Sequence, residues 1–204
     1  MKNFTLTVLL IISFSAKAQE NSEGNEKGLW SANTFFGICN VEAKDTYKIN
    51  ANVYGANLGR EFYISRNMSV LTLLEHQTVT GDYTLGDARA FQTNKLIKVP
   101  VSTRFYTDRK AVTSLYIEIG LYGSYLYHGE SEIVSEDIST SDSNLGTELG
   151  VLLNAGVSHQ VSDWLAVRLS LAGQNAVMAN GSDNTPDTKI SNLYAFNLGA
   201  AIRF

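Results

Sequence analysis

Apolar side chains recur at every second position through most of the chain from about residue 28 onward, and the last stretch shows the pattern plainly. Tyr194, Phe196, Leu198, Ala200, Ile202 and Phe204 alternate with positions that include Asn197, Gly199 and Arg203. A period of two puts alternate side chains on opposite faces of a strand. One face is greasy to the final residue, while the other carries a charge. A soluble sandwich commonly lets its terminus fray. A transmembrane barrel closes its sheet with its last strand and turns the apolar side to lipid. The pattern therefore predicts a membrane barrel sealed by a terminal strand that bears Tyr194, Phe196, Leu198, Ile202 and Phe204.

The same alternation predicts eight strands, at about 28–41, 48–64, 68–80, 94–106, 112–127, 147–161, 163–177 and 191–204. Each is longer than the roughly 9–11 residues a tilted strand needs to cross a bilayer, so some ends should project. Strand five sets Leu115, Ile117, Ile119, Leu121, Tyr125 and Tyr127 against Tyr116, Glu118, Gly120, Tyr122 and Ser124. Strand six sets Leu149, Val151, Leu153, Ala155 and Val157 against Glu148, Asn154 and Gly156. Strand four opposes Ile97, Val99, Val101 and Phe105 to Lys98, Ser102 and Arg104, and strand seven opposes Leu165, Val167, Leu169 and Leu171 to Arg168, Ser170 and Gln174. Strands one to three alternate less regularly. Pro100 falls on the inward face of strand four and, lacking an N–H for the ladder, is expected to mark a bulge.

The segments between strands differ in kind. Ser65–Asn67, Thr107–Lys110 and Ser162–Asp163 are short, whereas Gly81–Thr93, His128–Gly146 and Met178–Ile190 are long. Short turns at one end and long loops at the other is the outer-membrane arrangement, and eight strands put both termini on the short-turn, periplasmic side. Strand direction sorts the aromatics into two belts. Trp30, Phe62, Tyr63, Phe105, Tyr106, Trp164 and Phe204 fall at the periplasmic ends; Tyr47, Tyr54, Tyr125, Tyr127 and Tyr194 fall toward the long loops. The expected fold is all-β, an eight-stranded antiparallel up-and-down transmembrane barrel over residues 28–204.

The chain's start fits export. Lys2, an apolar core from Phe4 to Phe14 and Ala16-Lys17-Ala18 before Gln19 read as a cleaved signal peptide over residues 1–18. Residues 19–27 would be a short polar, periplasmic lead-in. The apolar run is too short for a spanning helix, which takes about 20 residues, and no long apolar run follows it.

Composition narrows the partners. The formal charge of −4 becomes −6 once the signal is removed, because only Lys2 and Lys17 are lost. That argues against a nucleic-acid partner, which needs a basic face. One cysteine, Cys39, excludes an internal disulfide framework and reads as a small apolar filler. His76, His128 and His159 have no ligand spacing, so no metal or cofactor is expected. The set His128-Gly129-Glu130-Ser131 could suggest an outer-rim hydrolase, but common residue types in one loop do not make an activated nucleophile. No catalytic residue is assigned. The loop His128–Gly146 carries Glu130, Glu132, Glu136, Asp137 and Asp142 with no Lys or Arg. It is a solvated loop by default, with cation-bridged contact to lipopolysaccharide as its functional reading.

Inward positions hold balanced charge: Glu118 and Glu148 against Lys98, Arg104, Arg168 and Arg203, with Glu61 and Glu75 as additions. An eight-stranded barrel has an interior just wide enough for side chains to fill. These residues are therefore read as a salt-bridged plug rather than a channel lining, with Arg104 and Arg168 pairing with Glu118 or Glu148.

The segment Leu96–Tyr106, with Ile97-Lys98-Val99-Pro100 at its centre, resembles the Pro-bearing strand of the small outer-membrane barrels common in Bacteroidetes, the porin-like, PorT-type barrel domain. Tyr116–Tyr125 resembles the strand that follows it, and Glu148–Ser158 with Trp164–Arg168 resembles its Gly- and Val-rich hairpin. The resemblance covers the mature chain and implies an outer-membrane location, insertion by the barrel-assembly machinery and no catalytic residues. The function expected is structural or adhesive, a monomeric barrel presenting loops among outer-membrane lipid and lipopolysaccharide. The alternatives are a small porin or accessory barrel of a secretion system and, third, a lipid-modifying enzyme.

Overall fold

The computed structural model describes residues 28–43, 47–85, 88–133, 138–181 and 188–203. The signal and lead-in, Phe204, Glu136 and Asp137 lie outside these. The described chain is eight strands: β1 (Leu29–Ala43), β2 (Tyr47–Ser65), β3 (Met68–Leu85), β4 (Ala88–Tyr106), β5 (Thr113–Ile133), β6 (Ile138–Gln160), β7 (Leu165–Asn180) and β8 (Thr188–Arg203). Each pairs antiparallel with the next, and β8 returns to pair with β1, so the sheet is a closed barrel. Closure leaves no open edge where lipid would strand backbone polar groups.

The stripes fall as the alternation predicts. Leu115, Ile117, Ile119 and Leu121 of β5 face out and are exposed, while Tyr116, Glu118 and Tyr122 face in and are buried. Leu149, Val151 and Leu153 of β6, Leu169 and Leu171 of β7, and Tyr194, Phe196 and Leu198 of β8 also point outward. A surface this apolar is stable only against lipid. Its height follows from β4. Phe105 and Lys95 bound the outward stripe ten residues apart, and ten steps of about 3.3 Å at a tilt of about 40° span about 25 Å. That equals the usual apolar band of an outer-membrane barrel, about 25 Å.

Two expectations are corrected by the backbone. The connections do not alternate in length. At the outer end they cover only 44–46, 86–87, 134–137 and 181–187, and at the inner end 66–67, 107–112 and 161–164. Most of the first two supposed long loops is strand. β3 and β4 continue to Leu85 and from Ala88, and β5 and β6 continue to Ile133 and from Ile138. Thr78, Thr80, Thr84 and Thr93 suit such strands. Pro100 produces no bulge. The β3–β4 ladder skips the two positions opposite Val99 and Pro100 and resumes in the same register, Thr72↔Val101 and then Glu75↔Lys98. The shifts lie elsewhere, for example between Lys95 and Leu96 on the β5 side.

Closure ends below the tips of the strands. β2 and β3 last pair at Ala51↔Gly81, and β6 and β7 at Thr147↔Asn180. Beyond these pairs, β3, β4, β5 and β6 rise as a four-stranded sheet, and β8, β1 and β2 rise as a separate three-stranded one up to Ala43.

Candidate functional site

The inward side chains stack in layers. The lower layer is a charged girdle. Arg104 of β4 holds Glu118 of β5 at 2.6 Å and Glu61 of β2 at 3.0 Å, and Arg168 of β7 holds Glu61 at 2.7 Å. Tyr106 and Ser69 each donate a hydroxyl to Glu61 at 2.6 Å, and Ser102 donates to Glu118 at 2.6 Å. Arg168 also donates to the Tyr106 hydroxyl at 3.0 Å. Glu61 is fully buried, and Arg104, Arg168 and Glu118 are nearly so. Two guanidinium and two carboxylate groups cancel in a buried site, which is how buried charge is tolerated. The girdle reaches across the barrel, from β2 to β4, β5 and β7.

The expected partners hold only in part. Arg168 pairs with Glu61 rather than with Glu118 or Glu148, because closure brings β2 opposite β7. Arg203 lies outside the girdle, exposed at the end of the barrel where β8 finishes, and its backbone N–H bonds the Trp164 carbonyl. Lys98 is fully buried but reaches no carboxylate of the described residues within bonding distance. It donates to Gln174 at 2.7 Å and lies over the Tyr122 ring at 4.5 Å. Tyr63 and Tyr106 also leave the inner aromatic belt. Tyr106 points inward to Glu61, and Tyr63 carries the Arg109 guanidinium over its ring at 3.7 Å. The belt keeps Trp30, Phe105 and Trp164, which are exposed on the surface. The Tyr47 side chain lies outside the described residues.

Above the girdle comes a polar layer. Asn33 donates to Asn57 at 2.6 Å, and Asn57 donates to Glu75 at 3.2 Å. A cavity of about 40 Å³ lies here, lined among others by Glu75, Arg104, Glu118, Asn154 and Gln174. Such a volume suits a few water molecules. Higher still the lumen turns apolar: Phe35, Cys39, Val53, Val79, Leu96, Leu126 and Leu193 pack together. Cys39 is a buried filler in this plug. Glycines admit the rings that fill the lumen. A Cβ on Gly150 would come within 2.3 Å of the Tyr122 ring, and one on Gly55 within 2.5 Å of the Phe35 ring.

Glu148 plays a different part from the one its charge suggests. β7 and β8 stop pairing above Gln174↔Leu193. Glu148 accepts the free backbone N–H of Ile190 at 2.6 Å and the Ser124 hydroxyl at 3.0 Å. Asn175 similarly accepts the N–H of Asn192 at 3.2 Å. Side chains thus satisfy the seam where the ladder ends.

The acidic segment is not one cluster. Glu130 and Glu132 lie on β5 opposite Ser141 and Ser139, and Asp142 lies on β6 opposite Gly129. The hydrolase-like set is split as well. His128 pairs with outward-facing Lys95, whereas Ser131 pairs with Gln92 and meets the inward Tyr83 hydroxyl at 3.4 Å. His76 bonds the Tyr127 hydroxyl at 2.8 Å, and His159 bonds Thr113 at 2.9 Å at the other end of the barrel. Histidine and serine therefore face opposite sides of the wall.

No family model matches this chain, and no curated protein matches it. Its fold is nonetheless well represented among solved structures. The outer membrane protein OprG of Pseudomonas aeruginosa is 12% identical, with a TM-score of 0.58 over 89% of this chain and 98% of that one. Neisserial surface protein A is 11% identical, with a TM-score of 0.50 over 88% of this chain and all of that one. The likeness is one of fold: a closed, eight-stranded antiparallel barrel of the outer-membrane kind.

Proposed function

We propose that the mature chain is a non-enzymatic, monomeric barrel of the bacterial outer membrane, structural or adhesive in role, whose working surface is the sheet it raises above the lipid. The observation that carries this reading is the pairing of a blocked lumen with strands that outrun the bilayer. The girdle and the apolar plug fill the bore, which removes the basis for a porin. The outward stripe ends near Lys95, yet β5 runs on to Ile133 and β6 back from Ile138. Beyond Thr147, β6 has a strand neighbour on one side only among the described residues, so its other side is an edge. An open edge is a natural place for another chain to add a strand. The strand motifs Leu96–Tyr106 and Glu148–Ser158 support kinship with the PorT-type barrels, and with it an accessory part in a secretion machine as the second reading.

The test replaces residues 82–91 and 130–141 by tight turns. The shortened barrel should still fold in the outer membrane, judged by heat-modifiable gel mobility, while cell-to-cell or cell-to-matrix attachment conferred by the full chain is lost. Attachment unchanged by the truncation, or steady single-channel conductance from the intact barrel in planar bilayers, refutes the proposal.

A further inference from the structure

The outer end of the lipid-facing stripe carries polar groups on neighbouring strands. On β4, Ile97 is the last apolar outward residue and Lys95 follows it. On β3, His76 lies level with Ile97, and Thr78 lies level with Lys95. On β5, Tyr125 lies level with Ile97 and His128 with Lys95. The register shift at this level makes Tyr127 the extra residue, and its hydroxyl crosses over β4 to meet the His76 ring at 2.8 Å. Lys95, His76, His128 and Tyr127 therefore share one outward patch about 25 Å from the inner aromatic level. That is the depth of the outer headgroups.

The two other described lysines of the outer rim share an acid partner. Lys48 and Lys189 both bind Glu42, at 2.8 and 3.2 Å. At the inner interface Arg60 lies over the Trp30 and Phe62 rings. Lys95 has no carboxylate within 4 Å among the described residues. Glu130 lies two residues farther out on the same face, opposite Thr93, and no ion pair joins it to Lys95. An ammonium left uncompensated at the headgroup level, beside three further polar groups, is complementary to a phosphomonoester. The apolar Ile97 and Leu74 directly beneath are exposed and suit acyl chains.

The geometry points to a binding site for a phosphorylated outer-leaflet lipid of the lipid A type on the outer face of β3, β4 and β5, with Lys95 holding the phosphate and Tyr127, oriented by His76, and His128 as further polar contacts. The site rests on the outer-membrane reading above. It is tested by refolding the mature chain into phosphatidylcholine vesicles containing bisphosphorylated lipid A, extracting in mild detergent and weighing the retained lipid by native mass spectrometry. The wild-type chain should carry lipid A, and Lys95→Gln should lower its retention roughly tenfold, the loss expected of a charged hydrogen bond. Lys95→Arg should retain it, and Lys48→Ala should not differ from wild type. Equal retention by Lys95→Gln, or equal retention of lipid A stripped of its phosphates, overturns the site. So does full competition by free inorganic phosphate, which would mark a simple anion site. Should Lys95→Gln not fold, Tyr127→Phe and His128→Ala are read in its place, and retention unchanged in both overturns the site equally. A chain that inserts into plain phosphatidylcholine but ignores lipid A loses only this site, whereas one that inserts into no vesicle loses the outer-membrane reading itself.

Discussion

Removing the Glu61 carboxylate is the sharpest test of the lumen. Glu61 is fully buried and holds both Arg104, at 3.0 Å, and Arg168, at 2.7 Å. In Glu61→Gln, Arg104 keeps Glu118 at 2.6 Å, but Arg168 keeps no carboxylate. Taking one partner from a buried pair costs about 3–5 kcal/mol, because the other charge stays buried and unpaired. Glu118→Gln should cost less, about 1.5–3 kcal/mol, since Arg104 retains Glu61 and its two hydrogen bonds to Glu118, at 2.6 and 3.1 Å, pass to a neutral acceptor. Glu61→Gln with Arg168→Met removes one charge of each sign and leaves the Arg104–Glu118 pair intact. That double variant should regain most of the lost stability, since replacing a whole buried pair is often neutral. Reversible urea unfolding in lipid vesicles, followed by tryptophan fluorescence, measures all three. A loss below about 1 kcal/mol for Glu61→Gln would place water at the girdle and treat the pair as an exposed one. A double variant no better than the single would show that Arg168 is not the group left stranded. Either result refutes the sealed girdle.

Further outcomes follow from the same geometry. Leu171→Arg on the lipid face should cost about 2–4 kcal/mol near the bilayer midplane, read by the same unfolding assay; a neutral result would mean that β7 does not face lipid. Gly150→Val should destabilise the barrel by at least about 1–3 kcal/mol, the usual penalty of overpacking, by colliding with the Tyr122 ring, and Gly150→Val with Tyr122→Ala should recover part of the loss. Glu42 lies on the rim beyond the apolar band, and its hydrogen bonds to Lys48 and then Ser191 hold its carboxyl down at about 2. A lowered folded-state value gives stability that is full above the unfolded value and is lost as pH falls through the folded one. Glu42→Gln should therefore flatten the fall in stability between about pH 5 and pH 2, and an unchanged pH profile would contradict the rim cluster. With Cys39 changed to Ser, a cysteine at Ser141 should react with an impermeant maleimide on intact cells and one at Asp108 should not; equal labelling refutes the orientation.

How far the primary structure reveals this protein depends on what each residue's setting requires. The lipid-facing stripes of β4 to β8 are local facts. Each strand must alternate because one side meets hydrocarbon and the other a filled bore, so Leu115 to Leu121 or Leu165 to Leu171 disclose their faces without any partner. β1 and β2 hide theirs. Outward Arg60 breaks the stripe and is explained only by the Trp30 and Phe62 rings beside it, and inward Phe35 and Val53 are apolar because they belong to the plug. The outer extensions of β3 to β6 carry little alternation to read, since their outward side meets water with residues such as Asp82 and Thr84, and few inward residues, such as Tyr83 and Ala90, are drawn onto the plug. They read as loops for that reason. The site partnerships belong wholly to the tertiary structure. Inward charge on β2, β4, β5 and β7 is visible residue by residue, but whether Arg168 meets Glu61 or Glu148 is decided by barrel closure, which sets who stands opposite whom across the bore. Lys95, His76 and Tyr127 are likewise far apart in the chain, and only the register of three strands puts them at one depth on one face.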